Sequence, residues 1–168
     1  MSEKLNGFRM PGEWEPQKSV WIAWPYNKND WPGLYKLIPE VILEIIYKIS
    51  KHQKVNLIIN NKIENIKKIL KLSKIKNISF YRIKTDRIWL RDSGPIFLTN
   101  KKYKKKIILN FVFNGWAKYK NCKNDNKIND KLSKIIKLKK INPTIKKNGK
   151  SRKVIMEGGA FDVNGCLL

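Results

Sequence analysis

Apolar runs of strand length alternate with apolar stripes of helical period, and this alternation restricts the fold more than any other feature of the chain. Residues 19–24 (Ser-Val-Trp-Ile-Ala-Trp) read as a buried strand closed by Pro25. Residues 34–51 read as a helix, with Leu37, Val41, Glu44/Ile45 and Lys48/Ile49 at the 3.6-residue spacing of an apolar face. Pro39 fits only a first turn, so the start can slide to Ile38. Residues 55–59 form a short central strand, and Asn60-Asn61 can cap a second helix striped by Ile63, Ile66 and Ile69/Leu70. Residues 78–83 return as a strand. Farther on, residues 96–98 and 105–113 are strand-like, with the dense lysine cluster 101–106 at a hairpin tip. Ile128, Leu132 and Ile135/Ile136 mark a third helix, and residues 154–156 a further strand. Strands alternating with helices predict α/β layering, and the order of elements hints at a repeated unit. Residues 160–163 alternate as a strand should, and Asn164-Gly165 is a two-residue hairpin signal. Only three residues follow it, so the chain reads as a polypeptide cut inside a fold.

At 168 residues and 42% apolar content, the chain is long enough to bury a core and is globular in composition. The net charge of +24 raises the question of nucleic acid. The lysines, however, are dispersed through helix-like stretches and loops among many Ile and Asn, as on solvated faces, so no nucleic-acid partner is expected. Cys122 and Cys166 have the spacing of neither a disulfide scaffold nor a zinc site. No apolar run reaches membrane-spanning length and the start has no signal-peptide core, so a cytoplasmic protein without a membrane partner is expected.

The densest chemistry lies in Thr85-Asp86-Arg87-Ile88-Trp89-Leu90-Arg91-Asp92-Ser93-Gly94-Pro95. Gly94-Pro95 forces a turn directly after Asp92. A carboxylate at such a corner accepts paired N–H bonds, and a nearby indole face attracts positive charge, so a planar cation such as guanidinium suits the segment. Asp92 and Trp89 are the candidate binding residues, and Asp86 is a possible lining residue. The plainer alternatives are that Asp92 caps the turn or pairs with Arg91, that Asp86 caps or pairs with Arg87, and that Trp89 is core. Glu157-Gly158-Gly159 is a second acidic corner that can face the same cleft or be a simple bulge. No catalytic centre is visible. His52, the single histidine, is near a helix end, and neither cysteine has a histidine in sequence reach.

Four blocks resemble the agmatine deiminase, or Porphyromonas-type peptidyl-arginine deiminase, family of guanidine-modifying enzymes. They are Arg9-Met10-Pro11-Gly12-Glu13-Trp14-Glu15-Pro16 with Val20-Trp21-Ile22-Ala23-Trp24-Pro25; Asp86 with Trp89-Leu90-Arg91-Asp92-Ser93-Gly94-Pro95; Phe113-Asn114-Gly115-Trp116; and Glu157-Gly158-Gly159. The resemblance implies an incomplete α/β propeller, pentein-like, with roughly two to three of five ββαβ-type modules. It makes residues 1–168 the N-terminal part of a single catalytic domain. Family enzymes hydrolyse agmatine to N-carbamoylputrescine and ammonia, and relatives act on arginine side chains; no metal or organic cofactor is implied. A cysteine thiolate attacks the guanidinium carbon, a histidine shuttles protons, two acids hold the guanidinium nitrogens, and water resolves the intermediate. By this match Asp92 holds the guanidinium, Trp89 lines the pocket, and Glu157 lies near the channel. The family's His-x-Asp and nucleophilic cysteine match no residue of this chain, so it is expected to be inactive alone. A separately encoded C-terminal half is a possible partner.

Overall fold

The structure, a computed structural model, describes residues 5, 7–60, 63–72, 75–102, 104–115, 120–160 and 162–164. It divides into two units, Pro16–Leu90 and a second that joins Met1–Glu15 to Arg91–Leu168.

Pro16–Leu90 runs β1 (Ser19–Ala23), α1 (Ile38–Ser50), β2 (Lys54–Ile59), α2 (Ile63–Leu72) and β3 (Ile78–Arg82). All three strands are parallel in the order β1-β2-β3, with Ala23 opposite Ile58 and Leu57 opposite Phe80. Val55, Leu57 and Ile59 meet Ile46 of α1 and Ile66 and Leu70 of α2 in one cluster. Both helices therefore cover the same sheet face, as two right-handed crossovers stepping the same way require. The central strand is buried on both sides from Val55 to Ile59, the usual fate of such a strand in a parallel sheet.

Two expectations fail in this unit. Of the expected face, Leu37, Val41 and Ile45 lie outward, 57%, 50% and 42% exposed, and Ile49 packs inward as expected, together with Ile42, Leu43 and Ile46. Helix α1 is apolar on two adjacent stripes. Residues 32–37 form turns ahead of the helix, so the stripe that includes Leu37 starts outside it, and the stripe fully inside it takes the core. Asn60, expected as a helix cap, instead clamps the loop after β3. Its Oδ1 accepts from the Thr85 N–H at 2.7 Å and its Nδ2 donates to the Thr85 carbonyl at 3.2 Å. Asn61 lies outside the described residues.

In the other unit the chain turns through α3 (Leu90–Ser93), a single turn whose first residue still belongs to Pro16–Leu90. β4 (Ile96–Asn100) and β5 (Lys105–Leu109) then pair as an antiparallel hairpin with its tip at the lysine cluster. After α4 (Ile128–Ile135), β6 (Lys139–Ile141) lies parallel to β5, which is a ββαβ order. Leu98, Ile107 and Leu109 form the core with Phe8, Met10, Ile96, Phe111 and Ile141, and Ile128 and Leu132 are fully buried.

The strand expected over 105–113 stops at Leu109. The Asn110 N–H on the Ile141 carbonyl (2.8 Å) is the last bond of the β5–β6 ladder, and beyond it Asn126 captures both backbone groups of Phe113. The strand expected over 154–156 reduces to one bridge between Ile155 and Val112. Just before it lies a hairpin that the sequence reading missed, β7 (Thr144–Lys147) with β8 (Lys150–Lys153). Asn148 and Gly149, at φ 51° and 72°, form its two-residue turn, which needs left-handed backbone at both positions. Ala160, Asp162 and Val163 are not in a strand, and Gly165 and Cys166 of the expected second hairpin lie outside the described residues.

Candidate active site

Asp92 stands in the helical turn α3, and Gly94-Pro95 redirects the chain into β4. The turn is held from behind. Asn129, buried on α4, donates from Nδ2 to the carbonyls of Ser93 (3.2 Å) and Gly94 (3.3 Å). The Glu157-Gly158-Gly159 corner closes with the Ala160 N–H on the Glu157 carbonyl at 3.0 Å. A Cβ on Gly158 would sit 2.3 Å from the carbonyl oxygen of Arg91, closer than any side chain tolerates. Only glycine allows this approach, and it seats the second acidic corner against the residue preceding Asp92.

The electrostatics follow from that seating. Burial, and then the negative charge of Asp92, push the Glu157 carboxyl above its ordinary value of 4.5. Two carboxyls far apart in the sequence are thus within electrostatic reach of each other, an arrangement that a cation would relieve. The Arg91 guanidinium pairs with Glu13 of the entry loop, both side chains being more than half exposed. That loop is fixed by Arg9, whose guanidinium forms a two-pronged pair with Glu15, and by the Gly12 N–H on Glu15 Oε1 at 2.8 Å. Arg9, with help from that N–H, holds the Glu15 carboxyl at about 2.

Asp86 and Trp89 belong to Pro16–Leu90. Asp86 is half-buried in a bend. The Arg87 guanidinium carbon lies 4.4 Å from the centre of the Trp89 ring, and Arg87 also pairs with Asp30, with 10% and 3% of the two side chains exposed. Burial raises the Asp30 carboxyl above its ordinary 3.8, outweighing the pull of Arg87. Asp30 was not foreseen. It lies in a loop that reads as a plain connector, and only the Asn27 side chain, which caps the short turn Lys28–Asp30, hints at local order.

The remaining candidates are dispersed. His52 follows α1 and its N–H returns to the Ile49 carbonyl (3.0 Å). Cys122 is a free, partly buried thiol whose carbonyl accepts from Asn126. Trp116 and Cys166 lie outside the described residues. A groove of about 250 Å³ lies along α1, lined by Glu40, Leu43, Glu44, Tyr47 and Ile75, and holds none of the residues expected to bind ligand. Among the described residues no group of three or more His, Cys, Asp or Glu is placed to hold a metal, and no helix is long and apolar enough to cross a membrane.

Solved structures with this architecture place it in the α/β-propeller, pentein fold class. One agmatine deiminase of provisional name matches with a TM-score of 0.81 at 29% identity, over 95% of this chain and 42% of the other. The chain itself belongs to the Porphyromonas-type peptidyl-arginine deiminase family, whose model matches residues 9–166. A Streptococcus mutans protein provisionally named agmatine deiminase is 34% identical over 117 residues, 68% of this chain and 31% of that protein. The solved agmatine deiminase of Enterococcus faecalis gives a TM-score of 0.77 at 26% identity, over 95% of this chain and 42% of that one. A C. jejuni agmatine deiminase variant with substrate bound gives 0.75 at 30% identity, over 94% and 43%. The chain spans less than half the length of these relatives.

Proposed function

We propose that this protein is a guanidine hydrolase of the agmatine deiminase type, converting agmatine and water to N-carbamoylputrescine and ammonia, and that this chain supplies the anionic side of its pocket. The observation that carries the reading is the seating of Gly158 on the Arg91 carbonyl, which brings Glu157 under the influence of Asp92. In this reading Asp92 accepts paired N–H bonds from the guanidinium and Trp89 lines the pocket. Asp86 and Glu157 line it as well, Glu157 adding the second negative charge that a desolvated cation needs. Arginine side chains share the same head group and are the alternative substrate. Formation of putrescine precursors in the cytoplasm belongs to the same reading.

With no residue matched to the family's nucleophile or its His-x-Asp, this chain alone binds without turnover, since removing nucleophile and base costs on the order of 10⁶ in rate. Agmatine titration followed by calorimetry, with an ammonia and carbamoylputrescine assay, tests both parts. Agmatine should bind, Asp92→Asn should weaken it by about 2 kcal/mol or more, and no product should form. Turnover abolished by Cys122→Ala or Cys166→Ala would defeat the second part, and equal binding by Asp92→Asn the first.

One observation favours a second reading, a nucleic-acid surface. The hairpin β7–β8 is exposed along its whole length, and Lys147 stands directly opposite Lys150. That reading requires strongly salt-dependent retention on DNA or RNA that persists at physiological salt.

A further inference from the structure

We infer that Asn129 is a positioning residue for the Asp92 corner, itself oriented by a relay from Lys140 through Asn142 and Asn110. The inference rests on the proposed role of Asp92 and extends it to the groups that hold that residue in place.

The relay begins at the ends of two paired strands. Asn110 follows β5 and Asn142 follows β6, where Leu109 and Ile141 are partners. Lys140 pairs with Asp130 and also places its ammonium 3.4 Å from Asn142 Oδ1. An ammonium can only donate, so the Asn142 amide must turn its oxygen toward it. The same oxygen accepts from Asn110 Nδ2 at 2.8 Å, which leaves Asn110 Oδ1 as an acceptor on its far side. Asn129 Nδ2 donates to that oxygen at 2.8 Å. The two hydrogens of that NH₂ group are shared among Asn110 Oδ1 and the carbonyls of Ser93 and Gly94, the two residues that follow Asp92.

The direction of every amide in the series is fixed by its neighbour, and the series starts at the one group that has no acceptor. A cost is visible at its end. Asn129 Oδ1 is buried with no hydrogen-bond partner, an arrangement that persists only where its surroundings over-determine it. A reversed amide would set Asn129 Oδ1 against three acceptors, the Ser93 and Gly94 carbonyls and Asn110 Oδ1, so the carbonyls themselves select the NH₂ orientation. The relay reinforces that selection by holding Asn110 Oδ1, and not its NH₂, toward Asn129. With Gly158 against the Arg91 carbonyl on one side and Asn129 on the Ser93 and Gly94 carbonyls on the other, the backbone on both sides of Asp92 is fixed.

The test uses carbon-13 carboxyl NMR titration of Glu157 together with agmatine affinity. Asn129→Leu, similar in size and without a donor, should lower the Glu157 midpoint toward its ordinary value as Asp92 drifts, and should weaken agmatine about tenfold. Lys140→Met, far from any packing role for Asn129, should move both in the same direction by about threefold in affinity. Asn126→Ala removes a comparable amide clamp, on Phe113, and should leave both readouts unchanged. An unaltered Glu157 midpoint in Asn129→Leu and Lys140→Met, or an equal shift in Asn126→Ala, overturns the relay. The midpoint is read without ligand, so absence of agmatine binding in the unmodified chain defeats the proposed function and leaves this test standing. Should Asn129→Leu fail to fold, Lys140→Met decides alone.

Discussion

The two units fix their loops with the same device and then differ in where like charges meet. In each, an asparagine side chain stands in for a strand neighbour and satisfies both backbone groups of a distant residue, Asn60 for Thr85 and Asn126 for Phe113. Pro16–Leu90 then buries an ion pair of opposite sign, Asp30 with Arg87, inside its own loops. The other unit also matches opposite charges, Arg9 with Glu15 in its entry loop, Arg91 with Glu13 at the surface and Lys140 with Asp130, but it holds the turn around Asp92 with a neutral amide and sets two carboxyls of like sign near each other. A charge matched within the fold contributes to structure. Two like charges brought within reach of each other are stabilised by a cation, and on this ground the second unit is the one in which ligand recognition is proposed.

The largest way to test this contrast is to break the buried pair. Arg87→Leu leaves Asp30 buried beside no cation and should cost about 3–5 kcal/mol in urea unfolding. Because burial raises the Asp30 carboxyl, its ionised form is the disfavoured one. The deficit should therefore grow as pH rises above the raised value, where Asp30 ionises beside Arg87 but is kept protonated in the variant, and shrink on acidification. Adding Asp30→Asn should recover most of the loss.

A smaller effect is expected at Gly158. Gly158→Ala must move the corner off the Arg91 carbonyl, at about 1–3 kcal/mol of overpacking. In carboxyl NMR the Glu157 midpoint should fall as the two acids separate, and a midpoint unchanged by the alanine would mean that the seating does not create the pair.

The smallest effect is a pH slope. The folded Glu157 carboxyl lies above its ordinary value, so its stabilising share is complete below 4.5 and is lost as pH rises through the raised value. Agmatine favours the ionised form, so its affinity should climb over that same window. Glu157→Gln should flatten the climb, and calorimetry at two pH values reads the difference.

Much of this was legible in the sequence, for identifiable reasons. The strands of Pro16–Leu90 announce themselves because a central parallel strand buried on both faces must be a continuous apolar run, and Val55 to Ile59 is one. The two acidic corners were visible because glycine beside a carboxylate is local turn chemistry. Their convergence was not, because the close approach of Gly158 to a carbonyl sixty-odd residues earlier leaves no trace in spacing. Helix α1 misled because Leu37, Val41 and Ile45 have the same period as Ile42, Ile46 and Ile49, and periodicity does not say which stripe finds the sheet. Asn148-Gly149 carried the same signal as Asn164-Gly165 but lacked flanking apolar alternation, since its arms are almost all lysine, serine and arginine.

One detail of Pro16–Leu90 limits how its tryptophan can be used. Arg87 rests over the Trp89 ring while its charge is held by Asp30, so one side of that indole already has a permanent resident of the same planar, cationic kind as the proposed substrate. Under the proposed function a guanidinium at Trp89 would have to use the ring's opposite side or its rim, and removing the resident would open the occupied side to it.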